Sequence, residues 1–291
     1  MYTKIGASVE VSWENRLYKG RYILPRPMQQ GRFPTCVFFS FTKGGQLVIH
    51  RSFADKYQNP KIQCDILLDP ESVAREFVVM NGGQRWDWNF LLKDKDRLDR
   101  PAAAAYLMTE VGADGESSRW EGKRKVAVDK CTYLGHKPSF DEVKCLLDTG
   151  KAVMAGMICG PDFDGLGPDE IYSCSPQYVW RNGKRRLAEG FEKHMILLIG
   201  HAKHDESGSI YTPFLNSHGC SFGGGGIGRV FFDDLRCFYV MDTKYPPKII
   251  DKESSPSKLR LGHDEQKRDA GLAKTEDGKG SGKYVVPARR Q

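Results

Sequence analysis

The sequence has no apolar run that could cross a bilayer. Its longest, Ala102 to Met108 and Met195 to Ile199, fall far short of the ~18 to 20 consecutive apolar residues a membrane helix needs. No hydrophobic leader opens the chain, because Lys4, Glu10 and Glu14 interrupt its first residues, so no export signal is expected there. Eight cysteines are present without a single Cys-x-x-Cys pair, which removes zinc ribbons and dithiol redox motifs. Their scatter predicts free thiols in a reducing compartment. No internal repeat is evident, which argues against solenoids and propellers.

Charge of one sign is also scarce over most of the chain. Residues 244–291 hold 12 Lys and Arg against 7 Asp and Glu, five of the seven net positive charges carried by all 291 residues. A nucleic-acid surface needs a concentrated basic face on a folded element, so no nucleic-acid partner is expected for residues 1–243. From Lys244 onward the chain mixes Pro, Gly, Ser and charge with few apolar residues, and burial there cannot offset the entropy lost on ordering. Residues 244–291 are therefore expected to form a basic, disordered tail. The remainder has the balance of a globular enzyme, within a chain that is 40% hydrophobic, 28% charged and 11% aromatic.

The first part of the chain is helical in texture. Helices are expected after Pro34, over Pro70 to Met80 and over Ala102 to Glu110. The second part is stranded: Val126 to Val128, Ala152 to Met157, His194 to Ile199, Tyr211 to Leu215 and Val230 to Phe232 are short apolar or alternating runs between Gly, Asp and Asn turns. One helix interrupts them over Ser139 to Asp148, with Phe140, Val143, Leu146 and Leu147 at helical spacing, Ser139 as N-cap and Gly150 closing it. A helical lobe preceding a β-rich lobe is an α+β fold. Val37 to Phe41 reads as a strand on pattern alone, and Gly44 and Gly45 cost about 1 kcal/mol each in a helix.

Gln30 stands six residues before Cys36, with Pro34 and Thr35 between them. A thiol in the first turn of a helix capped by Thr35 would face unpaired N–H groups and the positive end of the dipole, which favour thiolate. Downstream, His194 heads an apolar run and Asn216 ends the next one. A thiolate needs an imidazole as ion-pair partner and proton donor, and the imidazole needs a third group to orient it. His201, His204, His218 and Cys220 lack the spacing of a zinc site, and Gly223-x-Gly225-x-x-Gly228 runs into a strand pattern, not a phosphate-binding helix. No metal and no cofactor are expected.

The set Gln30, Gly31, Cys36, Phe39, Ser40, followed by Asn81-Gly82-Gly83, His194 and Asn216-Ser217-x-Gly219, resembles the papain-like cysteine peptidases, papain and the lysosomal cathepsins. The resemblance runs over about residues 9 to 242. His194 and Asn216 lie 158 and 180 residues after Cys36, beyond the ~130 to 150 usual in that family, which implies insertions, one of them around Arg181 to Arg186. The resemblance implies a two-lobe fold over residues 1–243, with a helical lobe at about 30–115, a β-rich lobe at about 116–243, an N-terminal strand at 8–14 crossing over to it, and the active-site cleft between. It also implies roles: Cys36 as nucleophile, His194 as general acid and base, Asn216 as orienter of the imidazole, Gln30 as oxyanion donor. Gly82, Gly83 and His218 would bind substrate, a peptide or protein. Where the family has tryptophan after its nucleophile and after Asn-Ser, this chain has Val37 and His218, and at the positions of a family disulfide it has Phe33 and Met80. The expectation is a monomeric cytoplasmic cysteine-type peptidase free of membranes, or a vacuolar, lysosomal or secreted one if a leader precedes this sequence. The alternative is a catalytically weak papain-fold protein that binds peptides or regulates.

Overall fold

The structure, a computed structural model, describes residues 2–6, 10–14, 16–31, 33–84, 87–93, 99–181 and 183–250. In chain order the elements are β1 (Tyr2–Lys4), β2 (Glu10–Ser12), α1 (Cys36–Lys56), β3 (Leu67–Asp69), α2 (Pro70–Met80), α3 (Trp88–Lys93) and α4 (Arg100–Tyr106). A π-helical turn over Leu107–Val111 leads into β4 (Ala113–Glu116), β5 (Arg124–Ala127), β6 (Lys130–Gly135), α5 (Phe140–Asp148) and β7 (Ala152–Cys159). Then come β8 (Glu170–Tyr172), β9 (Tyr178–Arg181), β10 (Lys184–Leu187), β11 (Glu192–Leu198), β12 (Gly200–Lys203), β13 (Ile210–Leu215), β14 (Ile227–Phe231), β15 (Arg236–Asp242) and β16 (Lys248–Ile250).

Local chemistry sets several boundaries. The Asp69 carboxylate accepts from the Glu71 N–H at 2.9 Å, and Pro70 occupies the first turn of α2, where its missing donor costs nothing. Ser139 accepts from the Glu142 N–H at 3.3 Å to cap α5, whose Val143 and Leu147 face inward. After Thr149, Gly150 takes φ +72°, the left-handed stop expected of it. The helix expected over Ala102 to Glu110 begins two residues earlier, under an Asp99 cap, and its last turn widens to a π turn. Arg181 to Arg186 lies within a separate two-stranded hairpin, β9 with β10.

Helix α1 is buried from Cys36 to Ile49, which explains why its pattern could pass for a strand: a helix apolar all round shows no amphipathic period. Thr35 does not cap it as expected. Its hydroxyl donates to the Phe33 carbonyl at 3.3 Å and makes no capping bond at the helix start. Gly44 and Gly45 mark the places where neighbours come closest, since a Cβ at Gly44 would stand 2.7 Å from Met154 Sδ and one at Gly45 2.5 Å from Met108 Cε. Their loss of helix propensity is the cost of seating α1 against the sheet.

The main sheet runs β1-β8-β14-β13-β11-β7-β15-β6, with β12 and β2 joined through β13. Strands β7 and β11 are covered on both faces: Ala152, Met154, Met195, Leu197 and Ile199 belong to the core around α1, while Val153, Ala155, Met157, Ile196 and Leu198 belong to the core under α5. That alternation is the period of two expected of a strand. The N-terminal strand does cross over, since β2 pairs with β12 through Gly200 and Ser12. A Cβ at Gly200 would meet the Val11 carbonyl oxygen at 2.1 Å, a backbone atom with no room to yield. Gly200→Ala should therefore push β2 off the sheet and cost about 1–3 kcal/mol, read as a lowered urea midpoint with an increased susceptibility to proteolysis before Trp13.

One boundary differs from expectation. The mainly helical first lobe carries one strand, β3, which joins a second sheet of order β16-β5-β4-β3. That sheet also moves the expected start of the tail: Lys248–Ile250 pairs with Lys125–Ala127, and Tyr245 packs edge-on to Phe53 at 5.0 Å. Residues 244–250 thus belong to the body, held by a short apolar anchor, and residues 251–291 lie outside the described residues.

Candidate active site

Cys36 is the first residue of α1, and His194 lies near the head of β11. One hydrogen bond ties these elements together: the Ser40 hydroxyl, one turn along α1 from the thiol, donates to the Met195 carbonyl at 2.7 Å. Met195 is the residue that follows His194. Asn216 follows the last residue of β13, and its Oδ1 sits 2.7 Å from His194 Nε2 while also accepting the Ser217 N–H at 2.9 Å. A carbonyl oxygen only accepts, so Nε2 must carry the proton, and in the neutral ring Nδ1 is left as the basic nitrogen.

Gln30 joins the group through the same turn. Its N–H donates to the Ser217 carbonyl at 2.8 Å, its Oε1 accepts from the Ser217 hydroxyl, and its Nε2 donates to the Phe33 carbonyl at 3.0 Å. With both ends of the amide tethered, one Nε2 hydrogen remains for another acceptor. Gly31, at φ +70°, makes the turn that allows this. Gln30, Asn216 and His194 are thus linked through Ser217, and the helix that starts at Cys36 is tied to the same strand as His194 through Ser40 and Met195.

His218 stands beside that group. Its ring lies 5.1 Å from the His194 ring, and its Nδ1 pairs with Asp164 at 2.7 Å. Phe163 packs at 5.4 Å from His194 and 5.7 Å from His218, and Phe222 packs against both Phe163 at 5.0 Å and His218 at 5.7 Å. Phe163 and Asp164 sit on a single 3₁₀ turn, Phe163–Gly165, and no sequence signal marked them. Phe163 thus covers part of the His194 ring. Gly82 is exposed at φ +87° in the turn after α2, whereas Gly83 is tucked against Val78 and Phe90. Among the described residues no hydrogen bond or ring contact ties either glycine to the Cys36 and His194 group. His201 and His204 engage Asp148 at 3.0 Å and the Lys4 carbonyl at 2.9 Å, joining β12 to α5 and the segment after β12 to β1.

Burial corrects the expected thiolate. Cys36 is 7% exposed and His194 8%, and removal from water pushes the thiol up and the imidazole down, so both favour their uncharged forms. The N–H groups of Met195 and Val37 and the charge of Arg100 pull the thiol the other way without overcoming burial. For His194 the opposing pull comes from the Asn216 bond, Asp164 and Glu192. Burial also lowers His218, aided by His194 and opposed by Asp164.

No known family model and no curated protein matches the chain in sequence. Solved structures do match in shape. A procathepsin B S9 from Trypanosoma congolense superposes with a TM-score of 0.51 at 11% identity, covering 82% of this chain and 77% of that one. A digestive procathepsin L2 proteinase from Tenebrio molitor larval midgut gives 0.49 at 13% identity, over 80% of this chain and 67% of that one. The likeness to the first, taken with the helical and stranded halves described above, gives this chain the papain-like, two-lobe α+β fold.

Proposed function

We propose that the protein is a cysteine-type peptidase. The observation that carries this reading is the bond from His194 Nε2 to Asn216 Oδ1 at 2.7 Å, which leaves Nδ1 as the basic nitrogen on a strand that the Ser40 hydroxyl ties to the Cys36 helix. On this reading Cys36 gives its proton to His194 Nδ1, and the sulfur attacks the peptide carbonyl carbon. The oxyanion takes hydrogen bonds from the free Nε2 hydrogen of Gln30 and the Cys36 N–H. His194 protonates the leaving amine, giving a thioester, and then activates the water that hydrolyses it. Protein and backbone groups supply every step, so the cycle calls for no cofactor or metal. The partner is a peptide or protein, the protein acts as a monomer in the cytoplasm, and Gly82 exposes main chain to an extended substrate.

Incubation with a thiol-directed epoxide, followed by digestion and mass analysis, tests the reading directly. Cys36 should be modified ahead of the other seven cysteines, and protection of Cys36 by a mixed peptide library should accompany cleavage of that library. An unmodified Cys36 would overturn the proposal.

The burial of Cys36 and His194 favours the second reading, a peptide-binding papain fold with little turnover. The two readings separate in a spectroscopic titration of the Cys36 thiol. A peptidase needs the imidazolium to outweigh burial and bring the thiolate in below about 8.5, whereas an idle thiol stays above it.

Asp164 gives a pH test. Its charge favours the protonated form of His194, so Asp164→Asn removes an attraction for the imidazolium proton. The alkaline limb of the pH–rate profile, where that proton is lost, should move to lower pH while the Cys36 label persists.

A further inference from the structure

A second thiol and imidazole meet away from Cys36. Strand β15 loses its register against β7 between Arg236 and Tyr239 and against β6 between Phe238 and Tyr239. Within this bulge Cys237 is held at φ +55°, a left-handed conformation that a residue with a Cβ adopts at a cost. The contacts show what the bulge positions. The Cys237 N–H donates to the His136 carbonyl at 2.8 Å, and His136 Nδ1 stands 3.2 Å from the Cys237 sulfur, with Tyr133 close by on β6. Cys237 is half-buried, with His136 and Tyr133 exposed, so a small solute can reach the sulfur from water.

We propose that Cys237 is a site of reversible oxidation by hydrogen peroxide, with His136 as its acid and base. His136 Nδ1 takes the thiol proton, and the sulfur attacks one peroxide oxygen. The S–O bond forms as the O–O bond breaks, sulfur is oxidised by two electrons and peroxide is reduced. The departing hydroxide takes the proton from His136 and leaves as water, so the products are a sulfenic acid and one water. The oxidised group then lies two strands from His194. Gly156 of β7 pairs with Arg236 on one side and Met195 on the other, and a Cβ placed there would stand 3.8 Å from both Cys237 Cβ and the His194 carbonyl. An added oxygen at Cys237 therefore lies across β7 from the backbone of His194, while the oxidation chemistry does not depend on that residue.

The test uses the full chain carrying Cys36→Ser, so that its outcome is independent of the peptidase reading. Samples are exposed to graded hydrogen peroxide with dimedone, digested, and analysed by mass. Cys145 and Cys220, both exposed, act as references within the same molecule, and neither has a histidine within hydrogen-bond distance among the described residues. Cys237 should acquire the adduct about tenfold faster than either reference, and His136→Gln should bring it down to their rate. Labelling of Cys237 at the reference rate in the Cys36→Ser chain, or an unchanged rate in folded His136→Gln protein, would overturn the proposal. Should His136→Gln fail to fold, the ratio in the parent chain decides by itself.

Discussion

His194→Ala is expected to lower kcat/KM for an extended peptide on the order of 10³-fold or more, and Cys36→Ala to do the same. The sharper expectation concerns the pair. Nucleophile and base act as one unit, so the double variant should be scarcely worse than either single one. Asn216→Ala should cost less than either, because it removes the acceptor at 2.7 Å from Nε2 but leaves the ring in place, and its loss should fall on kcat more than on KM. Steady-state kinetics on the three single variants and the double variant check this. Multiplicative losses in the double variant would mean that Cys36 and His194 do not share one proton transfer.

Lys43→Met is expected to stabilise the protein by about 3 kcal/mol at pH 7. Lys43 is 7% exposed, and among the described residues no carboxylate or hydrogen-bond partner offsets its burial. Burial lowers its ammonium from 10.5 to about 8, a gap worth about 3 kcal/mol at ~1.4 kcal/mol for each pH unit. Because the folded value lies below the unfolded one, the unfolded chain binds more protons between pH 8 and 10.5. The destabilisation by Lys43 is therefore complete below pH 8 and fades as pH rises through that interval. Methionine keeps the unbranched stem and removes the charge. Urea unfolding at several pH values should show the gain of Lys43→Met shrinking toward zero near pH 10.5, and a gain that did not change with pH would contradict the account. Lys43 also borders a small cavity with Asn216 and Ser217, and Asn216 Nδ2 has no hydrogen-bond partner among the described residues. The candidate site is thus backed by polar groups whose solvation folding has sacrificed.

Elements with local signals were legible. Asp69-Pro70 and Ser139 begin helices by side-chain capping, a bond between residues two or three apart, and both helices start where expected. Strands β7, β11 and β13 show in their apolar runs. Helix α1 was ambiguous because a fully buried helix and a buried strand are equally apolar, and only packing against β7 and β11 on one side and α2 on the other distinguishes them. The tail was placed too early because Tyr245 and Lys248–Ile250 owe their order to Phe53 and β5, partners more than a hundred residues away.

The site divides in the same way. Gln30, Cys36, His194 and Asn216 could be named as a set because side-chain chemistry and order along the chain are properties of sequence. Their charge states could not. Whether a helix N-terminus or desolvation governs Cys36 depends on how much water the fold removes, and here burial prevails. Phe163 and Asp164 were equally hidden, since a turn between strands reveals nothing until the sheet sets it beside His194 and His218. Sequence alone determined which reactive groups this protein carries and the helices and strands that bear them, since those follow from covalent chemistry and local periodicity. Tertiary structure alone decided which of those groups meet, what shields them and where their protons rest, because distance and dielectric exist only once remote segments have packed together.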